Sequence, residues 1–291
     1  MRPIASYPNF RERLAAALLR LYPFKSGLGS VASSKPFAAL AGLRDANLWA
    51  KVAGSEALVP SLDLVGRAMF FGGDLDPKVS WAVNRFSKPG DVALDIGANL
   101  GLISWRLAKQ VGAAGQVHSF EPNPAMQAYI EATLARNPAL PVHLHRVALG
   151  AQAATLSLTI PKANAGAASL VSVSGREVDH CIEVPVMTLD QFLADQGIDR
   201  VDFIKIDVEG FEAEVLRGGI GMLRNMRPRA IVFEENGAID GAELPASFRI
   251  LQEAGYEIFG LPKRYFRVQM LPLEQVKTQG AHDFVAMRRA D

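Results

Sequence analysis

A single cysteine, Cys181, in 291 residues rules out an intrachain disulfide and any multi-cysteine metal site. A reducing compartment is compatible with that. Charge of one sign is also missing: the formal net charge is +1, too weak a field to gather nucleic acid. No apolar run reaches the roughly 20 residues of a membrane span. The most apolar early stretch, LAAALLRL at 14–21, is interrupted by Arg20 and makes a poor signal peptide. These absences lead us to expect a soluble, cytoplasmic protein. Internal repeats and low-complexity tracts are lacking too.

What is present is ordinary for a folded chain, with 49% hydrophobic and 21% charged residues. The length suits one large α/β domain, with or without an extension. Charge is unevenly spread. Residues 1–60 hold eight Lys/Arg against three Asp/Glu, a net +5, leaving 23 against 27, a net −4, for residues 61–291.

Near the start, NFRERLAAALLRLYPF reads as an amphipathic helix over 9–22, with Asn9 and Glu12 as a capping box and Pro23 as a stop. Phe10, Leu14, Leu18 and Leu21 share one face. That face has three open readings: docking on its own domain, the commonest case, pairing with a second subunit, or lying on a membrane surface. Residues 25–36 are rich in Gly and Ser and read as a linker, followed by a weaker helical stretch over 37–54. Another helix is expected over 76–87, closed by the turn KPGD.

From residue 91 strands and helices alternate, the pattern of a parallel sheet covered on both faces. Strands are expected at 92–96, 116–122, 142–149, 202–207 and 230–235, and helices at 101–112, 124–137, 189–196, 211–224 and 245–254. Residues 151–189 break the alternation and read as an inserted hairpin, and strands 256–261 and 282–287 as an antiparallel pair at the sheet edge.

Three strands end in acids: Asp95, Glu121 and Asp207. In an open α/β sheet, ligands sit at the carboxyl ends of the strands. Carboxylates buried there without partners would be costly, so a cationic or polyhydroxy ligand is implied. Glu121 lies 24 positions after Gly97, close to the spacing at which an acid accepts from ribose hydroxyls. The turn itself, GANLG, has Asn99 where a pyrophosphate-binding turn has its middle glycine. An adenosine ligand with a positive charge and no phosphate, S-adenosylmethionine, fits this better than a dinucleotide. Asp95 is then expected to hold its cationic amino-acid end.

The blocks GDVALDIGANLGLISWRLAK, GQVHSFEPNP, VALG, VPVMTLDQFL and VDFIKIDVEGFEAEVLRGG resemble, in order over roughly residues 70–240, the FkbM family of S-adenosylmethionine-dependent methyltransferases. The resemblance implies a class I, Rossmann-like methyltransferase fold: an α/β architecture with a seven-stranded, mostly parallel sheet whose last strand is inserted antiparallel between the fifth and sixth. It implies a cofactor site of Asp95, Gly97, Ala98, Asn99, Gly101, Glu121, Pro122, Asn123, Ala148 and Asp207. It further implies methylation of a hydroxyl on a sugar, glycan or natural product. Residues 1–60 would be a helical extension and linker, and 61–291 the methyltransferase domain.

For catalysis, Asp207 and Glu209 precede the hinge Gly210, where a carboxylate can take the acceptor's proton. Glu234 and Glu235 stand behind them, while Glu212 and Glu214 suit a helix N-terminus. No third ligand joins a carboxylate pair, or the strand neighbours His143 and His145, so no metal is expected. Lys205 should pair with an acid; Ser169, His180 and His282 are weaker candidates for the crevice. The expected partner is a small-molecule or glycan acceptor and not nucleic acid, with a homodimer left open. Alternatives are N-methylation of an amine or peptide, a nicotinamide-dependent oxidoreductase, or a cofactor-binding domain without turnover.

Overall fold

The computed structural model describes residues 3–24, 26–161, 168–171, 177–237, 239, 244–276 and 280–289. The chain begins with β1 (Ala5–Ser6), α1 (Phe10–Leu19), α2 (Leu28–Ser33), α3 (Lys35–Ala41), β2 (Asn47–Val52), β3 (Ser55–Pro60), α4 (Leu64–Gly72) and α5 (Pro77–Phe86). The capping box on α1 is formed: Asn9 N–H donates to Glu12 at 2.7 Å and Glu12 N–H to Asn9 Oδ1 at 2.9 Å.

Two readings of this region need correction. The Gly/Ser segment 25–36 contains α2 and the start of α3, capped by Ser34, rather than a bare linker. The helix expected over 37–54 ends at Ala41, where Gly42 takes φ 63°. NLWAKV then alternates in burial with a period of two and pairs antiparallel with β3 through a turn in which Ala53 and Gly54 both have positive φ. β1 joins β2 in parallel.

The remainder follows as β4 (Val92–Ile96), α6 (Leu102–Val111), β5 (Gln116–Phe120), α7 (Pro124–Arg136), β6 (Val142–His145), β7 (Ala148–Leu149), β8 (Ala154–Pro161), β9 (Val178–Met187) and α8 (Leu189–Gln196). After these come β10 (Phe203–Ile206), α9 (Glu212–Gly218), α10 (Ile220–Asn225), β11 (Ala230–Glu234), α11 (Ala246–Glu253), β12 (Tyr256–Gly260), β13 (Leu271–Pro272), α12 (Leu273–Val276) and β14 (Asp283–Arg288). The helix expected over 211–224 is divided at Gly219 into α9 and α10. The strand expected over 142–149 is likewise divided: β6 stays in the main sheet, while β7 pairs with β9 of the inserted hairpin β8–β9.

The main sheet has the order β13-β12-β14-β11-β10-β4-β5-β6. β14 runs antiparallel to both β11 and β12, so the last long strand lies between the fifth and sixth rather than at the edge. This is the class I methyltransferase arrangement, with the two-residue β13 added as an eighth, outermost strand.

Alternation along the central strands sends neighbours to opposite faces. Ala93, Phe203 and Val232 pack toward the α5–α6 side, and Leu94, Ile204 and Phe233 toward the α8–α11 side. The first of these cores also takes in Ala15, Leu19, Leu48 and Val59, so residues 1–60 share it. Polar contacts reinforce the join: Leu58 N–H donates to Thr133 Oγ1 at 3.0 Å, and Tyr129 O–H to Asn47 at 2.7 Å. No helix among the described residues is long and apolar enough to cross a membrane.

Candidate active site

A cavity of about 860 Å³ opens at the carboxyl ends of β4, β5, β10 and β11. Its floor is the turn after β4. Gly97 and Ala98 both donate their amides to the carbonyl of Phe120, at 3.0 and 2.9 Å. A Cβ on Gly97 would lie 1.8 Å from the carbonyl oxygen of Asp207, so glycine is what lets the turns after β4 and β10 touch. Asn99, at the place of a pyrophosphate-binding turn's middle glycine, has φ 54°, a left-handed conformation that asparagine tolerates better than most side chains. Gly101 faces Trp105 rather than the cavity, since a Cβ there would meet the indole at 2.4 Å.

Glu121 lines the cavity and is 6% exposed. Its two carboxylate oxygens accept from Asn99 N–H at 2.7 Å and Asn123 N–H at 2.8 Å, fastening the glycine turn to the start of α7. Burial pushes its pKa up to about 7, against the pull of those two amides. Asn123 caps α7 and stays outside the lining, whereas Pro122 and Ala148 belong to it.

Asp95 does not reach the cavity. It lies fully buried beneath the turn, accepting from Ser104 Oγ at 2.5 Å, with its other oxygen 3.7 Å from Lys205 Nζ. Strand register places Lys205 directly beside Asp95, on the same face. Lys205 Nζ also donates to the Gly97 carbonyl at 3.2 Å and pairs with Asp207 at 3.2 Å. Burial favours the neutral amine, but the two carboxylates outweigh it and hold Lys205 above its ordinary pKa.

Asp207, Glu209, Glu234 and Asp283 gather on the opposite wall. Burial raises the pKa of Asp207, but Lys205 and a hydrogen bond from Glu234 outweigh it and keep this group anionic. Burial and the Asp207 charge push Glu234 up to about 9, so it keeps a proton at neutral pH and shares it with Asp207. Glu209 has φ 52° and is followed by Gly210 at 97°, a sharply bent loop. Three bonds hold that bend: Ser169 Oγ donates to the Glu209 carbonyl at 2.8 Å, and the Glu212 carboxylate accepts from Val208 and Gly210 N–H, both at 3.2 Å. Glu212 is therefore a loop clamp, and Glu214 pairs with Arg217. Of the segment 162–172, residues 162–167 and 172 lie outside the described residues.

The remaining candidates separate cleanly. Glu235 turns away, accepting from Ser247 and from Gly237 N–H. His143 and His145 stack with His118 on the sheet, and His180 is exposed beside Asp179. His282 lines the cavity.

Sequence reasoning missed part of the wall. Lys78, 3% exposed, bridges Asp283 at 2.6 Å and Asp76, joining the start of α5 to β14. Ser26, Ser30 and Ser33 add hydroxyls from the N-terminal segment. The only sequence signal for Lys78 was its place in DPK at a helix start, which reads equally well as a cap.

This donor set suits the expected cofactor. Each buried cation on the wall, Lys78 and Lys205, is already held by two carboxylates, so neither is free to neutralise a pyrophosphate. A cationic adenosine derivative meets acids and an apolar surface from Phe120, Val147 and Leu149 instead.

Residues 95–258 match the model of the Methyltransferase FkbM domain, more than half of the chain. Methyltransferase sdnD of Sordaria araneosa is 31% identical over 153 residues, 43% of this chain and 59% of that protein. 2-O-methyltransferase NoeI of Sinorhizobium fredii is 28% identical over 159 residues, 50% of this chain and 64% of that one. The chain thus spans less than two thirds of the length of these relatives. Among solved structures, Methyltransferase FkbM from Methylobacillus flagellatus KT aligns over 95% of this chain and 59% of its own, at 13% identity and a TM-score of 0.43. With the matched segment running from Asp95 through the glycine turn, Glu121 and Asp207, the chain belongs to the FkbM family of S-adenosylmethionine-dependent methyltransferases.

Proposed function

We propose that this protein transfers the methyl group of S-adenosylmethionine to a hydroxyl of a sugar, glycan or natural-product acceptor. The observation that carries this reading is the group of carboxylates Asp207, Glu209 and Glu234, set in the same cavity as Glu121. When bound, the cofactor supplies a methyl group on a sulfonium, an electrophile that needs no activation by the protein.

The chain's own residues supply placement and a destination for a proton. Glu121 accepts from the ribose hydroxyls, and Gly97, Ala98, Asn99, Pro122 and Ala148 form the surface on which the nucleoside rests. Asp95 is a positioning residue in this reading, fixing Lys205 and through it the Gly97 carbonyl and Asp207. Asp207 accepts the acceptor's hydroxyl proton as oxygen attacks, and Glu209 borders the same opening. Residues 61–291 are the methyltransferase domain, and residues 1–60 an extension that lends serines to the wall.

The acceptor chemistry is supported by the name of the relative NoeI, a 2-O-methyltransferase, and by the carboxylates and serines of the wall, which suit a polyhydroxy molecule. The nicotinamide alternative falls with the family match. The test compares Asp207→Asn with Glu121→Ala. The first should keep S-adenosylhomocysteine affinity and lose turnover; the second should lose affinity. Unchanged affinity in a folded Glu121→Ala protein would remove this assignment.

A further inference from the structure

The apolar stripe read on the first helix points outward. α1 buries Glu12, Ala15 and Leu19, whereas Phe10, Leu14, Leu18 and Leu21 are 78, 50, 55 and 78% exposed. Docking of that face on its own domain, the commonest expectation, is not what the structure shows. Ile4 and Tyr7, ahead of the helix, are exposed as well.

Three residues past Leu21, the ring of Phe24 packs edge-on against Tyr265 and Phe266, with centroids 5.9 and 5.6 Å apart. Both partners are open to solvent, at 62 and 83%. This cluster stands at the cavity mouth: Tyr265, Lys263 and Ser26 line the cavity, and Ser26 Oγ donates to the Arg264 carbonyl at 3.1 Å. Exposed apolar side chains are thus present both on the N-terminal helix and at the cavity mouth, joined in sequence through the half-buried Phe24. Folded soluble chains rarely leave such a surface uncovered.

Charge identifies what covers it. Residues 3–24 and 261–270 contain Arg11, Arg13, Arg20, Lys263, Arg264 and Arg267, and their single acid, Glu12, is buried and bound to Arg44. The whole-chain charge of +1 conceals this concentration. A second copy meeting the same face would set these cations against each other.

We propose that this surface docks on a bilayer carrying anionic headgroups. Phe10, Leu14 and Leu18 enter the interface, and Tyr265 and Phe266 anchor the cavity mouth against it. Exposed leucines and aromatic rings with arginines around them can enter a bilayer interface, the apolar groups among the acyl chains and the cations at the headgroups. The cations add the attraction that such a helix needs to bind stably. The proposal stands apart from the methyl-transfer reading, because vesicle binding is measured without turnover.

The experiment is flotation of the full chain with vesicles of phosphatidylcholine, alone or mixed with phosphatidylglycerol, alongside light scattering without lipid. We expect binding to the mixed vesicles that weakens with salt. Leu18→Asp or Phe266→Asp should reduce it at least about tenfold, and Arg267→Ala roughly fivefold. Val178→Asp, at an exposed apolar position on β9, should leave it unchanged. Equal or no binding to the two vesicle types would overturn the proposal, as would insensitivity to Leu18→Asp and Phe266→Asp. A lipid-free dimer that Leu18→Asp separates, with no vesicle binding, would assign the face to a second copy instead.

Discussion

Lys205 and Asp95 are direct partners across β10 and β4, with their charged groups 3.7 Å apart and both side chains closed off from solvent. Asp95 lies below the cavity floor, and Lys205, which lines the cavity, reaches from it to Asp207 on the wall. Removing one member leaves the other's charge buried. Lys205→Met should therefore cost about 3–5 kcal/mol of stability, measured by urea denaturation. Combining it with Asp95→Asn should restore part of that loss, an interaction that a double-mutant cycle reads directly.

With Glu121 as the proposed ribose acceptor, cofactor binding should depend on pH. Its carboxyl is raised from an ordinary 4.5 to about 7 in the folded chain, so the native state holds a proton that the unfolded state has released. The sign follows: stability falls as pH rises from the ordinary value through about 7, while the ionised, ribose-accepting form becomes populated. Affinity for S-adenosylhomocysteine should rise roughly tenfold between about pH 6 and pH 8, read by titration calorimetry. Glu121→Gln should bind weakly and lose this dependence.

Glu212 holds the loop that carries Asp207 and Glu209 by accepting from two backbone amides. Glu212→Ala leaves both without that partner and should destabilise the protein by about 1–3 kcal/mol. Turnover should drop more than cofactor affinity, because the acceptor side of the cavity loosens first. Thermal unfolding and a KM-against-kcat comparison check both parts.

Asn99 occupies a left-handed position at φ 54°. Asn99→Gly should be near neutral for stability, whereas Asn99→Val should cost about 1–2 kcal/mol and weaken cofactor binding by displacing the amide that bonds Glu121.

These residues also show what a sequence can and cannot disclose. The order of β4, β5, β10 and β11 was legible because each is an apolar run ending in a turn signal, and Glu121 because its distance from the glycine turn is fixed by one β–α–β passage. Asp95 was legible as a site acid but not as a buried partner of Lys205, since register between strands more than a hundred residues apart leaves no local mark. β2 was hidden because its alanine and leucine serve a helix as well as a strand, and only pairing with β3 decides. The wall built by Lys78, Asp76 and Asp283 brings the start of α5 against β14, a contact that no motif records. The outward turn of Phe10 and Leu14 was equally unreadable, because periodicity gives a helix its faces but not its neighbours.

The central claim is that this cavity moves a methyl group onto a hydroxyl. Its most direct test is transfer of labelled methyl from S-adenosylmethionine into extracts of cells lacking the gene, separated into glycan, lipid-linked, protein, nucleic-acid and small-molecule fractions. The account predicts label in a hydroxylated glycan, lipid-linked or small-molecule acceptor, lost with Asp207→Asn although that variant still binds S-adenosylhomocysteine. Label confined to protein or nucleic acid, or no cofactor binding by the wild-type chain, would contradict it.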